Sequence, residues 1–169
     1  DWELIVQDGV STDATLDCVE SFNFVNTSVL SKPDTGLYNA MNKAIQRTRG
    51  QYIMFLHSDD KFASSTVLAD IAKHIGQHRP DILYGNVTFT GKKRKPWISG
   101  ELSKRKLRCG WMAPHTSLVV KRTFHEALGQ YDESLKISAD YDYELRAFFT
   151  ASKTIYVNMN FCCMTTDGA

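Results

Sequence analysis

The stretch that decides the fold is YIMFLHSDD, residues 52–60. Its first five residues are apolar throughout, which is typical of a strand buried on both faces of a parallel sheet. The apolar run stops at His57, and two adjacent carboxylates, Asp59 and Asp60, follow. Because ligands of open α/β sheets bind beyond the carboxyl ends of the strands, this segment predicts a ligand site at a strand end.

Apolar runs and helical periodicity alternate on both sides of this strand. Residues 3–6 predict a strand that leads into a turn, and a helix that ends near Phe22 follows the turn. Residues 27–30 predict a second strand, and apolar residues at three- and four-residue spacing predict an amphipathic helix from Leu37 to about Arg49. This order is typical of an α/β domain.

The pattern continues downstream with less regularity. It predicts a helix at 65–79, strands at 82–84 and 87–89, a long basic loop at 91–110, a strand at 118–120, helices at 122–128 and 142–151, and a strand at 154–159. We therefore expect one three-layer α/β/α domain over residues 1–169.

Composition excludes several classes of protein. The chain has 169 residues, 43% of them hydrophobic, and a formal net charge of +1, so it is neither a disordered tail nor a dedicated nucleic-acid binder. No apolar run approaches the roughly 18 residues that span a bilayer. The four cysteines, Cys18, Cys109, Cys162 and Cys163, form no CxxC pattern, so we expect reduced thiols and a cytoplasmic location.

The adjacent carboxylates Asp59 and Asp60 have two interpretations. Like charges are costly to hold together unless a cation or backbone amides compensate, which favours a Mg²⁺ or Mn²⁺ site. A solvated turn or a helix cap is the alternative. A cation held by only two carboxylates completes its shell with water and phosphates, so its ligand would be a nucleotide diphosphate.

Ordered blocks along most of the chain resemble the family 2 glycosyltransferases with the GT-A fold. The blocks are DGVSTD (8–13), SKPDTGLYNAMNK (31–43), FLHSDD (55–60), HTS (115–117), GQYD (129–132) and DYDYELR (140–146). The resemblance covers residues 1 to about 156, and the order and separation of the blocks are far more specific than one acidic pair. It implies an inverting transfer of a sugar from a nucleotide-diphosphate sugar to an acceptor hydroxyl.

The resemblance also implies roles for particular residues. Asp8 would contact the donor base, Asp59 the ribose or the metal, and Asp60 the Mn²⁺ or Mg²⁺ ion, while Asp140 matches the catalytic base. Lys32, Asp34 and Asn42 are further donor-binding candidates, and His115 and Trp111 are candidates for the acceptor side. Each has a structural alternative, such as an Asx turn for Asp8, a helix cap for Asp34 and Asp140, or core packing for Trp111.

The departures from the family pattern matter as well. The chain begins where the family has its second strand, so we expect the first strand to be absent, and His57 stands where Asn is more usual. The resemblance implies a nucleotide-sugar donor, a glycan or lipid-linked acceptor, no nucleic acid, and a role in bacterial polysaccharide synthesis. The basic stretch from Lys92 to Arg108 suggests peripheral association with the inner face of a membrane.

Two other functions stay open at this stage. A sugar-phosphate nucleotidyltransferase would carry a Gly-rich phosphate loop, and no segment of the sequence supplies one. A degenerate domain that binds a nucleotide or a partner without catalysis would keep the fold and lose the chemistry.

Overall fold

The computed structural model describes residues 1–22, 24–91 and 94–165. The chain forms two compact units, which are Asp1–Gln51 with Gly129–Tyr143, and Tyr52–Leu128 with the described part of Glu144–Ala169. Lys92 and Lys93, part of the predicted basic loop, lie outside the described residues. The single domain expected over residues 1–169 stays a prediction.

The first unit contains a small parallel sheet and two complete helices. In chain order its elements are β1 (Leu4–Asp8), α1 (Thr15–Ser21), β2 (Thr27–Ser31) and α2 (Leu37–Gln46). The two strands pair from Leu4 with Thr27 to Asp8 with Ser31. On α2, the apolar spacing seen in the sequence buries Met41 and Ile45, which confirms the amphipathic helix.

Asn42 ties α2 to the segment 129–133 in the same unit. Its amide nitrogen donates to the Tyr131 carbonyl at 3.0 Å and to Glu133 Oε1 at 2.9 Å, and its oxygen accepts from the Tyr131 amide at 3.0 Å. The side chain is 3% exposed. The three hydrogen bonds of this one buried amide hold the segment 129–133 against α2. The Tyr131 ring also stacks on the Tyr143 ring.

The second unit is built on a larger mixed sheet. Its elements are β3 (Tyr52–Met54), β4 (Lys61–Phe62), α3 (Val67–His78), β5 (Ile82–Thr90), β6 (Lys95–Trp97), α4 (Lys104–Arg108), a 3₁₀ turn (His115–Ser117), β7 (Leu118–Lys121), α5 (Arg122–Leu128), the larger part of α6 (Ala139–Thr150) and β8 (Thr154–Thr165). Among the described residues the strand order is β3-β7-β5-β8-β4, with β6 paired to β5.

The sheet of the second unit differs from the predicted parallel one. β3 pairs antiparallel with β7, and β5 with β8 is the parallel pair within this sheet over the described residues. Residues 52–56 were expected to be buried on both faces, but β3 is shorter and half-buried. An apolar run of five residues does not distinguish these pairings, because both place side chains in a core.

The core of the second unit lies between α3 and the sheet. It consists of buried apolar side chains from α3 and the strands β5, β7 and β8, which are Val67, Ile71, Leu83, Val87, Val119, Phe161 and Cys162. Cys162 is a free thiol, as expected, and burial raises its pKa to about 12.

Several predicted boundaries were wrong, each for a local reason. The strands predicted at 82–84 and 87–89 form the single strand β5, which has a register irregularity near Gly85. A Cβ atom at Gly85 would lie 2.5 Å from the Phe161 ring, so glycine here reflects close packing rather than a turn. The predicted loop 91–110 contains β6 and α4, α6 begins three residues before the predicted helix, and β8 continues to Thr165.

Candidate active site

Asp8 ends β1, and its carboxylate is enclosed by donors from the turn that follows. Its oxygens accept hydrogen bonds from the Val10 amide at 3.0 Å, from the amide and hydroxyl of Ser11, and from the Ser31 hydroxyl at 2.6 Å. These hydroxyls lower the pKa of Asp8, with the Ser11 hydroxyl as the largest cause. The carboxylate is therefore ionised and largely saturated by its own turn.

Asp34 lies beside the same turn. Its Oδ1 accepts from the Gly36 amide at 2.9 Å, which closes a turn of the Asx type ahead of α2. The helix cap considered for Asp34 is wrong, because Gly36 is the N-cap residue and no side chain among the described residues caps α2. A Cβ atom at position 9 would lie 2.6 Å from Asp34 Oδ2, so a side chain at position 9 would displace the Asp34 carboxylate. The first unit thus brings together Asp8 and Asp34, two of the predicted donor-binding residues.

The other two donor-binding candidates of this unit lie elsewhere on its small sheet and its helix. Asn42 uses its amide to hold the segment 129–133, as described above. Lys32 is exposed and lines a cleft beside α2. The donor contacts of Lys32 and Asn42 stay predictions.

Asp140 lies in the first turn of α6, and Tyr38 of α2 contacts it. Asp140 Oδ1 accepts from the Tyr38 hydroxyl at 3.2 Å and from the Tyr141 amide at 2.9 Å. Among the described residues no donor contacts Oδ2, which leaves one carboxylate oxygen available to accept a proton. Burial and the charge of Asp140 raise the pKa of Tyr38, so the phenol stays protonated and donates.

Asp59 and Asp60 follow β3 in the second unit, as the sequence predicted. The Asp60 amide donates to the His57 carbonyl at 3.1 Å, which closes a turn. Asp59 is exposed, and its Oδ2 accepts from the Thr165 hydroxyl at 2.7 Å. Asp60 Oδ2 is buried without a hydrogen-bond partner. Burial, and then the charge of Asp59, raise the pKa of Asp60.

A buried carboxylate oxygen without a partner is costly, and a cation would remove the cost. The donor set of two carboxylates suits Mg²⁺ or Mn²⁺, which prefer oxygen ligands and complete their shell with water and phosphates. Over residues 1–22, 24–91 and 94–165 no cluster of three His, Cys, Asp or Glu side chains could hold a metal by itself. Asp59 and Asp60 therefore fit an ion that needs ligands from the substrate as well.

Two imidazole rings lie close to this acidic pair. His57 stacks on His115 at 5.7 Å, and His115 stacks on Phe55 at 5.6 Å. The attraction between His57 and Asp60 opposes the rise in the pKa of Asp60. The structure thus brings His115 into the neighbourhood of Asp60 through His57, a residue that the sequence analysis noted only as a departure.

Trp111 is half-buried and packs among other rings. Its indole nitrogen donates to the Ser99 carbonyl at 3.0 Å, and its ring lies 6.0 Å from Tyr84 and 5.8 Å from Phe148. This environment matches the core-packing alternative, while its predicted place on the acceptor side stays untested.

Sequence reasoning gave no role to two residues of these clusters. Tyr38 lies within the quoted block 31–43, but nothing in its spacing indicated a contact with Asp140. Glu144 is fully buried, and its Oε2 accepts from the Ala113 amide at 2.8 Å. Glu144 follows Asp140 by one helical turn, but the periodicity of the sequence does not show that its carboxylate is buried.

Comparison with known proteins identifies the family. The family model described as "Glycosyl transferase family 2" matches residues 1–140. The chain belongs to glycosyl transferase family 2. The resemblance seen in the sequence blocks is therefore confirmed at the level of the family.

Two curated relatives are bacterial glycosyltransferases. A PGL/p-HBAD biosynthesis glycosyltransferase of Mycobacterium bovis (strain BCG / Pasteur 1173P2) is 31% identical over 152 residues, which cover 88% of this chain and 59% of that protein. A putative teichuronic acid biosynthesis glycosyltransferase of Bacillus subtilis, TuaG, is 38% identical over 64 residues, or 36% of this chain and 25% of that protein. The chain thus spans less than two thirds of the length of these relatives.

Solved structures of Staphylococcus aureus TarS share the fold. TarS 1-349 in complex with UDP-GlcNAc superposes with a TM-score of 0.84 at 22% identity, covering 99% of this chain and 50% of that one. TarS 1-349 in complex with UDP gives a TM-score of 0.82 over 97% of this chain and 51% of that one, at 23% identity. The mixed α/β fold of this family 2 chain is therefore the GT-A fold of these glycosyltransferases.

Proposed function

We propose that this chain is the donor-handling part of an inverting glycosyltransferase that moves a sugar from a nucleotide-diphosphate sugar to an acceptor hydroxyl. The observation that carries the proposal is the buried, unpartnered Oδ2 of Asp60 beside Asp59 in a chain of this family. Burying a carboxylate oxygen without a hydrogen bond is costly, so a bound cation is a better account of it than a purely structural turn. TarS, a structural neighbour, binds UDP-GlcNAc, so a uridine diphosphate sugar is the first donor to test.

Asp59 and Asp60 would hold Mn²⁺ or Mg²⁺. The ion, when bound, neutralises charge that develops on the departing diphosphate. Of the first unit, Asp8 and Asp34 shape the donor site in this proposal. Since the oxygens of Asp8 are already occupied, its contribution is the shape of the turn 9–11, and Asp34 fixes the start of α2 against that turn.

Asp140 is the catalytic base in this proposal. As the acceptor oxygen bonds to the anomeric carbon from the side opposite the diphosphate, its proton passes to Asp140 Oδ2. The bond from the anomeric carbon to the phosphate oxygen breaks, and its electron pair leaves with the nucleotide diphosphate. Tyr38 holds Oδ1 and so orients the oxygen that takes the proton.

The acceptor and the setting follow from the relatives and are equally proposals. Names such as teichuronic acid biosynthesis support a glycan or lipid-linked acceptor in bacterial surface polysaccharide synthesis. Among the described residues no helix is long and apolar enough to span a bilayer. We propose peripheral contact with the cytoplasmic face of the membrane through α4, whose Lys104, Arg105, Lys106 and Arg108 are all exposed.

The test of the transferase is donor binding and turnover with matched variants. Thermal shift with UDP-GlcNAc and other nucleotide sugars, in Mn²⁺ and in EDTA, should show a metal-dependent rise in Tm that Asp60→Asn abolishes and Asp70→Asn on α3 retains. Donor hydrolysis or transfer should then fall at least a hundredfold in Asp140→Asn while donor binding is kept. Donor binding that survives in all variants without any turnover would indicate a nucleotide-binding module instead.

The membrane contact has a separate test. Co-sedimentation with vesicles of phosphatidylcholine containing phosphatidylglycerol should retain the chain, and reversal of the four α4 charges should release it. Equal binding to neutral vesicles would contradict an electrostatic contact.

A further inference from the structure

The short strand β4 connects the acidic pair to β8, the last strand of the second unit. β4 follows Asp60 directly and pairs antiparallel with β8, where Lys61 lies opposite Cys163. The Ala63 amide also donates to the Phe161 carbonyl at 2.9 Å. The chain on the carboxyl side of Asp60 is therefore held to β8 by backbone hydrogen bonds.

The register of this pairing leads from Asp59 to Thr165. Lys61 is paired with Cys163, and the same register, continued for two residues, would place Asp59 opposite Thr165. Directly opposed side chains of an antiparallel pair lie on the same face and are close enough to interact. Asp59 Oδ2 does accept from the Thr165 hydroxyl, at 2.7 Å. The contact therefore follows from the strand register and is not a chance contact between two loops.

Thr165 is held in place by the sheet. β8 continues to Thr165, which lies opposite Thr90 in the parallel pairing with β5. The Thr90 hydroxyl donates to the Met164 carbonyl at 3.1 Å, next to this pair. A threonine side chain also has few rotamers, because its Cβ atom is branched. The hydroxyl that contacts Asp59 thus comes from an ordered strand, so little further entropy is lost when it holds the carboxylate.

The hydrogen bond makes the two oxygens of Asp59 different. Oδ2 accepts from the Thr165 hydroxyl, whereas Oδ1 has no hydrogen-bond partner in the part of the chain that the structure describes. An exposed aspartate without such a contact moves between rotamers, and a ligand that binds it must immobilise it at a cost in entropy. With Oδ2 held, the rotamer is fixed in advance and Oδ1 stays available to a ligand.

A hydrogen bond of this kind is effective at a metal site. Carboxylates that bind a metal are themselves oriented by hydrogen-bond donors, and loss of such a donor weakens metal binding. Thr165 lies outside residues 1–140, which match the family model, and outside the sequence blocks that resemble the family. The family resemblance therefore gives Thr165 no role.

We infer that Thr165 is a positioning residue that orients Asp59 in the site proposed for the divalent cation and the nucleotide. The inference rests on the proposed function, because it requires Asp59 to contact the cation or the donor. Thr165 itself needs no contact with either of them. It acts through Asp59, since its hydroxyl occupies Oδ2 and leaves Oδ1 for the ligand.

The test is Mn²⁺ binding by the whole chain in the presence of UDP, measured from the electron paramagnetic resonance signal of free Mn²⁺ with UDP alone as the blank. Thr165→Val keeps the shape of the side chain and removes the hydroxyl, and it should weaken Mn²⁺ binding about tenfold. Thr165→Ser keeps the hydroxyl and should bind within about threefold of the parent. Thr90→Val is the matched control, because it removes the neighbouring hydrogen bond to Met164 and should leave the affinity unchanged.

Thermal unfolding in EDTA separates positioning from damage to the fold. Thr165→Val should melt within about 2 °C of the parent, because the hydrogen bond to Asp59 is exposed. Equal Mn²⁺ affinity of Thr165→Val and the parent would overturn the inference and leave the proposed function in place. A loss of affinity in Thr165→Ser or Thr90→Val as large as in Thr165→Val would do the same, since it would assign the effect to the strand end and not to the hydroxyl. A parent chain that binds no Mn²⁺ with UDP would refute the proposed function and the inference together.

Discussion

Replacing Asp60 with asparagine should make the metal-free protein more stable. The Oδ2 atom of Asp60 is buried and has no hydrogen-bond partner, and burial together with Asp59 raises its pKa. Leaving a buried polar group unsatisfied costs about 1–3 kcal/mol. Asparagine keeps an unpaired polar atom at this position but removes the buried charge and its repulsion by Asp59. Because the side chain is partly exposed, solvent reduces the effect, and we expect a gain of about 1 kcal/mol for Asp60→Asn at neutral pH.

The gain converts into a measurable change in melting temperature. For a chain of this size about 1 kcal/mol corresponds to about 2–4 °C in Tm. Differential scanning calorimetry or thermal shift in EDTA at pH 7 measures it directly. Asp70→Asn is the matched control, because Asp70 lies in the first turn of α3 and loses only a favourable helix-dipole contact.

The pH dependence has a definite sign. The raised pKa means that folded Asp60 binds its proton more tightly than the unfolded chain does, so the stability of the parent protein falls as pH rises from the ordinary value of 3.8 through the folded pKa. Asp60→Asn lacks this dependence. The stability difference between the two proteins should therefore be largest at neutral pH and disappear in acid.

Adding Mn²⁺ together with UDP should reverse the order of stability. At a ligand concentration of 100 times Kd the parent protein gains about 2.7 kcal/mol, and the variant gains little. Two results would contradict this interpretation of Asp60 as a buried charge that a cation compensates. One is an Asp60→Asn variant that is less stable than the parent in EDTA, and the other is a variant whose stability rises as much as the parent's with Mn²⁺ and UDP.

Three further predictions concern the first unit. Tyr38→Phe removes the hydrogen bond to Asp140, so kcat should fall about fivefold to tenfold with KM for the donor unchanged, whereas a change in KM alone would argue against a positioning role. Asp8→Asn should destabilise the protein above the ordinary pKa of 3.8, and the loss should shrink as pH falls through the folded pKa, which is lowered. Chemical denaturation at pH 7 and at pH 2.5 measures the difference, and an equal loss of stability at both would contradict it. Asn42→Leu removes the hydrogen bonds of the buried Asn42 amide to Tyr131 and Glu133 and should cost about 3 kcal/mol. The measurement is made against Asn39→Ala, which removes an exposed contact to Glu133.

Much of the local structure was predicted from the sequence because it depends on local physics. The apolar spacing of α2 and the polar turn after β1 express periodicity and turn chemistry that act within a few residues. α5 spans 122–128 as predicted. The adjacent carboxylates at 59–60 could be identified as a candidate site for the same reason, since their mutual repulsion is a local property.

Strand pairing could not be predicted in this way. β3 is antiparallel to β7, which lies more than sixty residues away in the sequence, and β5 runs through Gly85, where the pattern suggested a break. Pairing direction depends on which strands meet in space, and an apolar run satisfies a parallel or an antiparallel neighbour equally well. The close approach of Phe161 to Gly85 is likewise a tertiary fact.

By itself, the sequence determined the family, the α/β character, and the residues in which carboxylate chemistry is concentrated. Ordered motifs and periodicities can be identified from the sequence alone because each reflects the conformational preferences of a few neighbouring residues. Only the tertiary structure decided which of those carboxylates is already saturated, as Asp8 is, and which keeps a bare oxygen, as Asp60 does. It alone placed Tyr38 on Asp140 and Arg47 on the Gln7 side chain, because burial and hydrogen-bond partners come from residues that are distant in sequence.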